Sequence, residues 1–129
     1  SKTGDELGFC IQTVLKEGKV DASELDFISA HGTATEYNDE MESKAFSSQH
    51  LHDIPVFSLK ALYGHTLGAS GVIETIIAAE CLRRNTIIPS WGFEEKGVSG
   101  DILINKKNIE KPLKNALKTA SGFSNFQII

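Results

Sequence analysis

Three side chains in this 129-residue chain have the types and spacing to act on a carbonyl group: His31, Lys60 and His65. Imidazole N–H groups and an ammonium are donors to an oxygen that gains negative charge, as in an enolate or a tetrahedral intermediate. An imidazole with a pKa near ~6.5 also exchanges a proton at neutral pH. Lys60 and His65 flank a turn at Gly64, and Gly68, Ala69, Ser70 and Gly71 follow. These four have almost no side chain, so a backbone or a ligand can come close. They open a helical stretch whose free N–H groups favour negative charge. Plainer roles stand beside these: His31 as a hydrogen-bonded structural residue at a strand end, and Lys60 as a solvated lysine. Thr33 and Thr35 alternate along the loop after the first strand, either to bond amides of an extended ligand or to cap the next helix. Glu42 either pairs with Lys60 inside the fold or sits solvated on a helix face.

Other chemistries fit less well. His50 and His52 match no zinc spacing, so neither a metal nor a cofactor is expected. Cys10 and Cys81 fall inside helical stretches without the sharp turn a nucleophile uses, and read as reduced core thiols. A 40% hydrophobic, 23% charged composition is that of a soluble globular chain, expected to form a single domain over residues 1–129. Net charge is −4, and no basic run is interleaved with aromatic residues, which speaks against nucleic acid. Without an 18-residue uncharged apolar stretch or a signal-peptide pattern, the expected setting is cytoplasmic, with no membrane span.

The elements that must position these residues follow from periodicity. From Asp5, the apolar positions Leu7, Cys10, Ile11, Val14 and Leu15 have helical spacing, and Gly18 stands where a C-terminal cap would. Residues 25–30 read as a buried strand ending at His31, and a second helix runs from Asn38 or Asp39 to about His50. A second strand over 54–59 leads through Lys60 and His65 into a helix apolar on nearly every side, which is expected to be buried. Strand, helix, strand, helix predicts an α/β fold whose functional loops gather at the carboxyl ends of parallel strands. Beyond Asn85 an irregular surface loop is expected until Ile102-Leu103-Ile104. Residues 116–120 and 123–129 read as two short strands in a hairpin-like return to the sheet edge.

His31-Gly32-Thr33-Ala34-Thr35, with Asp39 and Glu42 following, resembles the first histidine motif of β-ketoacyl synthases. Ser58-x-Lys60-x-x-x-Gly64-His65-x-x-Gly68-Ala69-Ser70-Gly71 resembles their lysine and second histidine motif, in the same order. The likeness runs from about residue 3 to the C-terminus and matches the C-terminal half of such a synthase. It implies half of a thiolase-like fold: a mixed, mostly parallel sheet with helices on both faces. It also implies a decarboxylating Claisen condensation in fatty acid or polyketide synthesis. In the family, a malonyl thioester on an acyl carrier protein loses carbon dioxide, and the enolate attacks an acyl group held on a cysteine. His31 and His65 would then hydrogen-bond the thioester oxygen. Lys60 would support the site's electrostatics and pair with Glu42, while Thr33 and Thr35 would contact the phosphopantetheine arm.

Two departures qualify the likeness. The family's nucleophilic cysteine lies in an N-terminal half, and neither Cys10 nor Cys81 matches it, so this chain alone is expected to be inactive. The family's glycine-rich C-terminal segment, with its gating Phe, is here Ser121-Gly122-Phe123-Ser124-Asn125-Phe126. Ser124 and Asn125 stand where glycines are expected, and a Cβ restricts φ, so the role of Phe123 stays open. Two further readings are a non-catalytic interaction subunit paired with a complete synthase, and a carrier- or acyl-thioester-binding module. The expected partners are an acyl carrier protein and an N-terminal half or a second copy. An isolated chain is expected to leave Val72, Ile73, Ile76, Ile77 and Leu82 as an apolar patch and to self-associate.

Overall fold

The computed structural model describes residues 4–32, 36–59, 70–91 and 100–120. Helix α1 (Asp5–Gly18) is followed by a short 3-10 turn (Ala22–Glu24), strand β1 (Phe27–Ser29), helix α2 (Glu36–Ser48) and strand β2 (Pro55–Phe57). Helix α3 (Ser70–Arg83) then leads to β3 (Thr86–Ile87), β4 (Leu103–Ile104), β5 (Ile109–Glu110) and β6 (Ala116–Lys118). The strands β4-β2-β1-β6 form one four-stranded sheet, parallel at every junction, while β3 and β5 pair antiparallel in a separate piece. Among the described residues this is the mostly parallel α/β sheet expected, in shorter strands.

Alternation along the strands divides the core in two, because successive side chains of a strand point to opposite faces. Ile28, Val56 and Leu117 pack with Leu7, Ile11, Ala45 and Phe46 of α1 and α2. Phe27 and Phe57 turn the other way and stack with ring centroids 5.4 Å apart. There they pack with Ala78 and Cys81 of α3 and with Ile87. The central strands are therefore buried on both faces, as a parallel sheet with helices on each side requires.

Helix α1 carries Asp5 and Glu6 in its first turn and Lys16 in its last, which complements the helix dipole. Its end differs from expectation. Gly18 stays helical and Lys19 takes the left-handed conformation, φ 56°. The amide of Val20 then donates to the Leu15 carbonyl at 3.0 Å, so the last turn's acceptors are met one residue later than glycine placement suggests. Cys10, expected in the core, is half-buried, whereas Cys81 is buried and burial pushes its thiol pKa up.

The stretch expected to be irregular surface contains β3, whose Ile87 is completely buried and pairs with Ile109. Two residues are too few for any periodicity to show. Gly100, expected only to punctuate that loop, is pressed against α2: a Cβ there would lie 2.3 Å from the Ser43 carbonyl carbon, so no larger residue fits. Residues 116–118 do return to the sheet edge, but in parallel beside β1. The expected strand over 123–129 lies outside the described residues.

Helix α3 corrects the expectation of full burial. Its inner side supplies Glu74, Ala78 and Cys81 to the interior, while Val72, Ile73 and Ile76 are exposed, at 62%, 38% and 59%. Ile77 and Leu82, expected in the patch, pack against the second core cluster instead.

Candidate functional site

The carboxyl ends of β1, β2 and β6 lie side by side and are stitched together by backbone hydrogen bonds. Ala30 donates to the Phe57 carbonyl at 2.8 Å, and Thr119 donates to the Ser29 carbonyl at 3.0 Å. His31, two residues beyond the end of β1, is buried. The strand that carries it is held from both sides, so its position is a property of the sheet.

A carboxylate fixes the next two peptides. Glu42, on α2 and 0% exposed, accepts from the His31 amide at 2.9 Å, from the Gly32 amide at 2.7 Å and from the Thr119 hydroxyl at 2.8 Å. A solvated helix-face role for Glu42 is thereby overturned. Burial pushes its carboxyl pKa up from the ordinary 4.5, while hydrogen bonds from Gly32, Thr119 and His31 and the nearby charge of Lys118 pull it down. The Ser58 hydroxyl donates to the Gly32 carbonyl at 3.1 Å, tying the end of β2 to the same loop. Donors and acceptors of the His31-Gly32 segment are thus met by Glu42 of α2 and by Ser58 and Thr119 just past β2 and β6, which restrains the loop.

On the opposite face, Lys118 and Glu74 form a buried ion pair at 2.5 Å. The Lys118 ammonium also donates to the Thr119 carbonyl at 2.7 Å and lies 3.5 Å from the carbonyls of Ser29 and Ala30. Sequence reasoning missed Glu74, Lys118 and Thr119. A signal existed for two of them: Glu74 is the one charged residue between Gly71 and Ala79, and Lys118 follows Ala116 and Leu117 in a segment read as a strand.

Of the residues singled out from sequence, the structure brings His31 and Glu42 together, through the His31 amide. Lys60, His65, Thr33, Thr35 and Phe123 lie outside the described residues, as do Ser124 and Asn125, and with Lys60 its expected pairing to Glu42. His50 and His52 are both exposed at the far end of α2, and His50 has φ 63°. Among the described residues no helix is long and apolar enough to cross a membrane.

Comparison with known proteins places this geometry. The family model described as "Beta-ketoacyl synthase, C-terminal domain" matches residues 1–94. A "Putative polyketide beta-ketoacyl synthase 1" of Streptomyces halstedii is 30% identical over 98% of this chain and 31% of its own length. The "Tetracenomycin polyketide synthase ketoacyl synthase alpha subunit" of Streptomyces glaucescens is 32% identical over 96% of this chain and 30% of its own length. The chain therefore spans less than a third of the curated relatives it matches. Among solved structures, a type II polyketide ketosynthase bound to a hexaketide and in complex with its acyl-carrier protein superimposes with a TM-score of 0.84. It is 31% identical over 97% of this chain and 32% of that one. A beta-ketoacyl synthase from Burkholderia phymatum STM815 gives 0.84 at 26% identity, over 95% of this chain and 31% of that one. The fold is that of thiolase-like ketosynthases, and the chain belongs to the beta-ketoacyl synthase family as a C-terminal domain.

Proposed function

We propose that this domain supplies the decarboxylating half of a condensing site, completed by an N-terminal half that carries the nucleophilic cysteine. His31 and His65 donate hydrogen bonds to the thioester oxygen of a malonyl group on an acyl carrier protein. The bond to the carboxylate breaks, carbon dioxide leaves, and its electron pair becomes the enolate that these donors stabilise. The enolate carbon then attacks the acyl thioester on the cysteine; a carbon–carbon bond forms and the cysteine sulfur departs as thiolate. Lys60 contributes positive potential to the site, Thr33 and Thr35 hold the phosphopantetheine arm, and Phe123 contributes to substrate binding.

One observation carries the reading: His31 is buried at a strand end and its peptide is clamped by a fully buried carboxylate. A fixed backbone at the root of the imidazole reduces the reorganisation needed when charge develops beside it. The test is to join the domain to a complementary N-terminal half and follow malonyl-carrier decarboxylation. His31→Ala or His65→Ala should each lower the rate by about 10²–10³-fold, the usual cost of removing one oxyanion donor. Unchanged rates in both variants would rule the role out.

A second reading draws on Ser124 and Asn125 where the resemblance expects glycines. In it the domain belongs to a non-catalytic subunit paired with a complete synthase. A ketosynthase/chain length factor structure is among the neighbours, with a TM-score of 0.76 and 26% identity over 89% of this chain and 29% of that one. Recovery from native cells of a complex whose condensing activity survives His31→Ala and His65→Ala in this subunit would favour it.

A further inference from the structure

Lys118 and Thr119 are consecutive residues at the end of β6, so their side chains leave the strand on opposite faces. Each holds a carboxylate from a different helix: Thr119 donates to Glu42 of α2, and Lys118 pairs with Glu74 of α3. Between those helices runs the end of β1, where Lys118 stands opposite Ser29 in register. Its ammonium reaches the Ser29 and Ala30 carbonyls, the two that immediately precede His31. Helix α3, in turn, is the element into which the chain runs from Lys60 and His65.

A buried ion pair is poor evidence for stability in itself, since an apolar pair of similar volume often holds a fold as well or better. Here the ammonium also reaches three carbonyls drawn from β1 and β6, which no apolar side chain could do. We propose that Lys118 is a positioning residue for the condensing site, locking the end of β1 that carries His31 to the first turns of α3. It acts through its contacts with Glu74, Ser29, Ala30 and Thr119, while Glu42 and Thr119 lock the same segment from the other face. The relevance to catalysis rests on the function proposed above; the positioning itself does not.

The test uses the double variant Glu74→Leu/Lys118→Met, which removes both charges of the ion pair together. With histidine rings isotopically labelled, the double variant should keep the circular dichroism spectrum of the parent chain but show a displaced His31 ring signal. A residue serving only stability would leave that signal in place, and an unmoved His31 signal in the folded double variant overturns the proposal. Should the double variant not fold, the unaltered chain decides. A Lys118 ammonium signal protected from solvent exchange supports the proposal, and one exchanging as fast as a surface lysine overturns it. Joined to an N-terminal half, the double variant should decarboxylate malonyl-carrier at least ten-fold more slowly. A displaced His31 signal together with unimpaired decarboxylation in His31→Ala would uphold the positioning and sink the proposed function; the reverse pair would do the opposite.

Discussion

Helices α1 and α3 are both 14 residues long, yet they relate to the sheet differently. Helix α1 is amphipathic: Leu7 and Ile11 face inward among the first core cluster, and its outer side is largely polar, with Phe9 as an isolated exposed ring. Helix α3 buries Ala78 and Cys81 against the stacked Phe27 and Phe57, yet shows water a contiguous apolar edge at Val72, Ile73 and Ile76. A helix with one apolar stripe is finished by one sheet face, whereas a helix apolar all round is finished only when a second surface covers it. The chain spans under a third of its relatives, which is consistent with that second surface lying outside it.

The sharpest way to break the contrast is inside the first cluster. Ile11→Ala, at a position 2% exposed, should cost about 2–4 kcal/mol by denaturant unfolding, because it leaves a cavity between α1 and the sheet. A loss below about 1 kcal/mol would mean that α1 packs no more tightly than the outer side of α3.

A smaller effect is expected where Glu42 of α2 holds the end of β1. Glu42→Gln turns one carboxylate oxygen into an amide NH₂ facing a backbone N–H, and should cost about 1–3 kcal/mol. It should also change the pH profile. Because burial raises the Glu42 pKa in the folded state above its ordinary 4.5, the folded form binds the proton more tightly than the unfolded form. Its stability contribution is complete below 4.5 and is lost as pH rises through the raised value. Unfolding free energies measured across that window should therefore decline less steeply in Glu42→Gln than in the parent. Identical slopes would show that the three donors fully offset burial.

The least change in stability is expected on the outer side of α3. Val72→Thr with Ile76→Gln should shift unfolding by less than about 0.5 kcal/mol, since both side chains are mostly exposed. The same pair should lower self-association seen by light scattering. A large loss of stability without any effect on association would mean that this edge is already covered within the chain.

Much of the fold was legible because periodicity is a local property. The positions of Leu7 and Ile11 report α1, and the apolar runs around Ile28 and Val56 report buried parallel strands. Strand β3 was not legible, because Thr86 and Ile87 become a strand only by meeting Ile109 and Glu110 more than twenty residues later. In the site, His31 and Glu42 stood out by type and motif spacing. Lys118 did not, because a lysine near the end of a chain reads as solvated until the register beside β1 turns it inward.

The sequence by itself determined the alternation of helices and strands, the likeness to a condensing-enzyme family and the candidate donors, since residue type and spacing survive without coordinates. Only the tertiary structure decided that Glu42 clamps the His31 peptide and that Glu74 meets Lys118, 44 positions further along the chain. It alone also showed which edge of α3 meets water. Those outcomes depend on strand register and on which face each side chain leaves, and a shift of one residue in β6 would exchange the partners of Lys118 and Thr119.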